Sequence, residues 1–214
     1  MPRYTVTNSE LLVDAPIIGL RRDTISTATG HATREIVEHF SAVAIAAIRE
    51  GKILLIRQYR HGVGRYLWEV PAGLLDIGGE EPVDAARREL AEEAGLSAST
   101  WSLLGDIVNS PGYSEEMCRI FLAEDVQEGT GDIEVEEAAD EEADLDHRWV
   151  DISEAVTWVQ EGKIQNSVAV AAVFHVFAGT RREVSEPFEY RSSIGRRRKE
   201  RASDPAGADL KFVR

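Results

Sequence analysis

Residues 73–96, GLLDIGGEEPVDAARRELAEEAGL, constrain this chain more than any other stretch, because they specify a short helix and crowd carboxylates onto one side of it. Pro82 suits a first helical position, where a missing N–H costs nothing; Glu80 and Glu81 suit the positive end of the helix dipole, and Gly95 suits a left-handed stop. Between these limits Val83, Ala86, Leu90 and Ala94 recur at helical spacing and form an apolar stripe for packing. At about 100° per residue, Glu89, Glu92 and Glu93 fall within an arc of roughly 100°. Like charges so spaced destabilise a helix by roughly 0.2–0.5 kcal/mol per pair, and Arg88, one turn from Glu92, offsets only part of that. An all-oxygen cluster of this kind suits a hard cation, Mg²⁺ or Mn²⁺. A solvated acidic helix face has the same charge pattern, so charge alone leaves both readings open.

The rest of the chain sets the frame for that helix. Its 214 residues suffice for one main domain with a small appended element. Residues 1–40 contain short β-prone pieces at 4–6, 11–13, 17–20, 24–27 and 35–40, which predict a small antiparallel sheet too slight to stand without a partner. Residues 42–48 and 52–59 read as a hairpin across Glu50-Gly51, and the near-continuous apolar character of its first arm suits a strand covered on both faces. Residues 101–108, 117–123 and 147–150 read as further strands. Asp151, with Glu154 three residues on, predicts a helix start, and Ser167 predicts the cap of a second helix over 168–178, apolar nearly all round and expected to be buried. The main domain is then 41–190. The basic, then Gly- and Ala-rich segment 191–214 has no apolar period and is expected to be a disordered tail.

Charge and cysteine content narrow the function classes. With 24 Lys and Arg against 38 Asp and Glu, the formal charge is −14, which argues against a general nucleic-acid-binding surface. Arg57, Arg60, His61 and Arg65 gather positive charge just before the acidic helix, interleaved with Tyr59, Tyr66 and Trp68, a mixture that suits phosphates and a purine ring. Aromatic core residues and surface arginines would give the same composition. Cys118 is the single cysteine, so no intrachain disulfide forms, and the first ten residues lack the apolar core of a signal peptide. The expectation is a cytoplasmic protein. The apolar run at 168–178 is too short for the roughly 20 residues that span a bilayer.

Residue order goes further than charge. The run R-E-L-x-E-E-x-G-L from Arg88 to Leu96, with Glu80 and Gly73 before it, resembles the signature of the Nudix hydrolases, G-x5-E-x7-R-E-U-x-E-E-x-G-U, where U is a bulky aliphatic residue. Every fixed position matches. The one departure is that six residues, not five, separate Gly73 from Glu80, an insertion in the loop 74–79 ahead of the helix. The resemblance covers about 43–178. It implies an α+β fold, an α/β/α sandwich with a mixed sheet, carrying the small N-terminal antiparallel sheet as an addition that exchanges between the subunits of a homodimer.

The resemblance also implies a chemistry. Glu89, Glu92, Glu93 and the carbonyl of Ala72 would hold Mg²⁺ or Mn²⁺, with Arg88 orienting the signature loop through Glu80. Pro111, in S-P-G-Y-S-E-E about fifteen residues after the signature, and the acidic segment 125–146 resemble the ADP-ribose pyrophosphatase branch, in which a loop glutamate acts as general base; Glu142 is the best match and Glu141 the alternative. Arg60 would clamp the diphosphate or terminal ribose, Glu69 would accept from the adenine amine or a ribose hydroxyl, and Trp68 would stack. The implied reaction is Mg²⁺-dependent cleavage of ADP-ribose, a nucleoside diphosphate derivative, to AMP and ribose 5-phosphate. Alternatives are another Nudix diphosphatase acting on a nucleotide sugar or nucleoside triphosphate, or a non-catalytic module that senses a nucleotide.

Overall fold

The computed structural model describes residues 4–133 and 145–213. At its centre is β4, Ala42–Arg49, whose residues 43–47 are all buried. Side chains alternate across a strand, and this one uses both sides. Val43, Ile45 and Ala47 enter one apolar cluster, while Ala44 and Ala46 enter another. Two neighbours repeat the division: β5, Lys52–Arg60, sends Leu54 to the first side and Ile53 and Leu55 to the second, and β9, Met117–Glu128, sends Phe121 to the first and Ile120 and Leu122 to the second. A sheet apolar on both faces needs a cover on both.

Helix α1, Pro82–Ala94, covers the first face with Ala85, Ala86 and Leu90; α2, Ile152–Gln160, and α3, Ser167–Phe177, cover the second with Ala155, Trp158, Ala169, Ala172 and Val173. Leu90 is fully buried, a contribution of about 1.5–3 kcal/mol. The sheet order is β10-β5-β4-β9-β8, with β8 at Leu96–Val108 and β10 at Asp146–Asp151; β6, Arg65–Glu69, pairs with β5, and β7, Ala72–Leu74, pairs with β4. Strands β4 and β9 run parallel and the remaining pairs antiparallel, which makes the sheet mixed. The hairpin turn falls at Glu50-Gly51, with φ of 51° and 75°. This is the α/β/α sandwich with a mixed sheet that the resemblance implies.

Several elements differ from the sequence reading. The β-prone pieces before residue 40 fuse into three strands of ten residues, β1 Thr5–Asp14, β2 Ile18–Thr27 and β3 Gly30–His39, because cross-strand pairing carries the backbone through the polar interruptions. Helix α3 is capped by Asn166, whose side chain accepts from Ala169 N at 3.0 Å, one residue before the expected Ser167. Nor is α3 buried all round: Phe174 and Phe177 are 42% and 60% exposed, since the sheet covers only one side of it. His175 lies 3.2 Å from the Thr180 hydroxyl, a structural contact.

The largest correction concerns the tail. Residues 193–201 form a fourth helix, α4, Ser193–Arg201, and the segment after it continues in contact with the domain. Its charges, expected in a disordered tail, meet partners far away in sequence. Arg198 is 2% exposed and donates to Asp14 Oδ1 at 2.8 Å, to the Ala15 carbonyl at 3.1 Å and to the Val213 carbonyl. Arg197 pairs with Glu38, and Arg201 with Asp14. Ile194 and Leu210 close over Phe40 as a third apolar cluster.

Candidate functional site

Ala42, at the start of the central strand, pairs on one side with Leu74 and on the other with Cys118. The end of β7 and the beginning of β9 therefore flank the start of β4, and each is the root of a loop: the signature loop on one side, the turn containing Pro111 on the other. Against β7 lies the acidic face of α1.

Gly73 shows how tightly these parts meet. A Cβ built on it would lie 1.9 Å from the Glu89 carboxyl carbon, so only glycine lets the strand pass against this carboxylate. Next to it, Ala72 N donates to Glu93 Oε2 at 2.9 Å, and His147 Nε2 donates to the Glu93 carbonyl at 2.6 Å. Helix α1 begins at Pro82 and stops at Gly95, whose φ of 63° is the left-handed cap expected of it. Glu89 and Glu93 are thus both held against the Ala72–Gly73 backbone.

Positive charge is scarce there. Arg88 donates to Glu80 through Nε and Nη2 at 3.0 and 3.1 Å, and its Nη1 bridges Glu89 at 2.6 Å and Glu92 at 2.8 Å. One guanidinium thus serves three carboxylates. The Arg88–Glu80 contact is the loop-orienting one expected, and the six-residue spacing leaves it intact. Burial pushes the Glu89 carboxyl up to about 7; Arg88 opposes this, while Glu92 and Asp76 add to it.

Among the described residues no three His, Cys, Asp or Glu side chains are already converged on one point. Arg88 stands between Glu89 and Glu92, and the Ala72 amide holds Glu93. The donors present nevertheless fit a hard cation in kind: carboxylate oxygens and a nearby backbone carbonyl, with a desolvated Glu89 that shares its one guanidinium with two other carboxylates.

The other expected residues are placed as follows. Arg60 and Glu69 meet each other, Nε to Oε1 at 3.0 Å and Nη2 to Oε2 at 2.7 Å, a bidentate pair in which Glu69 is buried and the Arg60 side chain is 42% exposed. Trp68 is half-buried, its ring 5.7 Å from that of Trp158, and Arg57 lies over Tyr66 at 5.0 Å. Pro111 is exposed in a turn where Tyr113 N and Ser114 N donate to the Ser110 carbonyl. The turn docks on β3, with Val37 N donating to Tyr113 O at 2.7 Å and Glu115 N to Val37 O at 3.1 Å. Glu115 in turn takes Arg21 at 2.8 Å and both the N–H and the hydroxyl of Ser193. Glu142 and Glu141 lie outside the described residues.

Two residues at the site escaped the sequence reading. Asp76, in the signature loop, is 3% exposed, and Lys211 reaches it from the C-terminal segment at 2.7 Å. Asp76 is an unspecified position of the signature, and Lys211 sits in a stretch read as disordered. Nothing in their spacing joins them.

Comparison with known proteins agrees with this geometry. The model of the NUDIX domain matches residues 38–172. The chain is 47% identical to an ADP-ribose pyrophosphatase of Mycobacterium tuberculosis over 179 residues, 83% of this chain and 84% of that protein. It is 32% identical to an ADP-ribose pyrophosphatase of Bacillus subtilis over 166 residues, 77% of this chain and 87% of that one. A crystal structure of an ADP compounds hydrolase superposes with a TM-score of 0.70 at 22% identity, covering 84% of this chain and 95% of the other, a likeness of fold.

Proposed function

The chain belongs to the Nudix hydrolase family, and from that premise we propose that it hydrolyses ADP-ribose to AMP and ribose 5-phosphate with the help of Mg²⁺ or Mn²⁺. The observation that carries this reading is the acidic face of α1, with Glu89 seated against Gly73, in a chain 47% identical to an ADP-ribose pyrophosphatase over most of both lengths.

Cleaving a diphosphate requires that its charge be neutralised and a water be delivered in line with the leaving oxygen. When bound, the divalent cation supplies Lewis-acid polarisation of the phosphoryl oxygens and a more acidic water. Glu89, Glu92, Glu93 and the Ala72 carbonyl would hold it, the glutamates by turning from their present hydrogen bonds. Arg88, fixed by Glu80, keeps the start of α1 against the signature loop as they turn. Arg60, oriented by Glu69, presents its guanidinium to phosphate or ribose oxygens, a geometry a fork of donors suits. Glu69, with both oxygens engaged by Arg60, reaches the nucleotide as part of that pair. Trp68 walls the nucleoside side and Pro111 the opposite loop. Glu142 removes the proton from the attacking water, with Glu141 the alternative base.

The reading extends to a homodimer built on the N-terminal sheet, where Tyr4, Val6, Leu11 and Val13 are exposed, and to a cytoplasmic location. No helix among the described residues is long and apolar enough to cross a membrane. A substrate panel with Mg²⁺ tests the function: ADP-ribose is the preferred substrate, and a nucleoside triphosphate turned over far faster would overturn the assignment. Replacing Glu142 by Gln lowers kcat on the order of 10²–10⁴-fold while Mn²⁺ binding persists.

A further inference from the structure

The loop that carries the extra residue of the signature is occupied by the far end of the chain. Gly78 N donates to the Ala208 carbonyl at 2.9 Å, Gly207 N to the Gly78 carbonyl at 2.6 Å, and Leu210 N to the Asp76 carbonyl at 2.8 Å, while Ile77 and Asp209 form an antiparallel bridge. The contact is close enough that a Cβ on Gly78 would lie 1.7 Å from the Pro205 carbonyl oxygen. Residues 205–211 therefore form a strap paired along 76–78. Its other end is held by α4, through Arg198 to the Val213 carbonyl and through Ser193 to Glu115 in the Pro111 turn. The strap lies beyond residues 38–172, the span of the family domain.

What the strap brings to the site is one ammonium. Lys211 Nζ lies 2.7 Å from Asp76 Oδ2 and 3.7 Å from Asp209 Oδ2, and Lys211 N donates to Asp209 Oδ1 at 2.9 Å, which fixes the turn that aims the side chain. The Asp76 side chain is 4% exposed. It lies three residues along the signature loop from Gly73, against which the Glu89 carboxylate is seated. A buried carboxylate needs a paired cation or a metal ion, and its oxygens are of the kind a hard divalent ion takes.

We propose that Lys211 is a positioning residue that keeps Asp76 out of the cation's coordination set and so fixes both the path of the signature loop and the strength with which the site holds its cation. This rests on the cation site assigned to Glu89, Glu92 and Glu93. Without the ammonium, Asp76 has no other cationic side-chain partner among the described residues and turns to the bound ion, dragging the loop and the adjoining Ala72–Leu74 strand out of register with α1.

The test is Mn²⁺ binding to the full chain, without substrate, read by electron paramagnetic resonance, alongside ADP-ribose kinetics. The Lys211→Met variant binds Mn²⁺ more tightly, on the order of tenfold, and its kcat falls on the order of tenfold. Lys211→Arg retains the parent's Mn²⁺ affinity, and adding Asp76→Asn to Lys211→Met returns the affinity to the parent's value. A strap serving stability alone would lower the melting temperature without tightening Mn²⁺. Unchanged or weaker binding in Lys211→Met, or tighter binding that survives Asp76→Asn, overturns the proposal. A parent protein that binds no Mn²⁺ overturns the cation site itself, whereas a parent that binds Mn²⁺ beside an indifferent Lys211→Met variant overturns only the role of Lys211.

Discussion

Two charged helices flank the signature loop, and they use their charge in opposite ways. At α1 the carboxylates of Glu89 and Glu92, with Glu80 of the preceding loop, share one guanidinium, that of Arg88, and Glu89 is buried. On α4 three arginines reach carboxylates far away in sequence: Arg198 meets Asp14 and backbone carbonyls, Arg197 meets Glu38, and Arg201 meets Asp14. A charged helix whose cations each find a carboxylate of another element is a fastening. One that lacks counter-charge is a place for a ligand.

Substitution on each side sharpens the contrast. The largest effect is expected at Gly73→Ala, where the new methyl group displaces the Glu89 carboxylate. Since that group is the end of a flexible side chain, kcat falls on the order of 10²-fold while the melting temperature barely moves; parent-like turnover would show that Glu89 need not sit where it does. Arg198→Met acts the other way. It leaves Asp14 with a partner fewer and α4 loose, costing about 3 kcal/mol, which for a domain of this size lowers the melting temperature by about 6–12 °C. Turnover per folded molecule changes far less than in Gly73→Ala, and a variant that melts with the parent would break the view of α4 as a fastening. The smallest signal comes from Cys118, buried at the root of the Pro111 turn, with burial pushing its thiol well above the ordinary range. A thiol reagent leaves it unlabelled in the parent at pH 8, and labels it at a measurable rate in Arg198→Met, where opening of the turn is easier.

The same contrast explains how much could be read without coordinates. Helix α1 was legible in full, because its start at Pro82, its stop at Gly95, its apolar stripe and its acidic face are all set by residues within a few turns of each other. The central hairpin and the covering of β4 on both faces were legible for the same reason. The α4 segment was not. Arg198 and Asp14 are 184 residues apart, and before folding a run such as RRRKER is indistinguishable from a solvated one. Nor was the exposed side of α3 legible: its apolar sequence specifies burial against something, and the sheet supplies only one side. At the site, the proposed cation ligands Glu89, Glu92, Glu93 and Ala72 rest on spacing and resemblance, whereas Asp76 and Lys211 are joined only by the strap. Glu142, the expected base, falls outside the described residues and stands on resemblance.

The central claim is that the acidic face of α1 holds the cation on which turnover depends. The most direct measurement is Glu93→Gln, assayed in parallel for Mn²⁺ binding and for ADP-ribose hydrolysis at saturating substrate. The account predicts a folded protein that binds Mn²⁺ at least about tenfold more weakly and whose kcat falls on the order of 10²-fold or more. A variant that hydrolyses ADP-ribose as fast as the parent would contradict it.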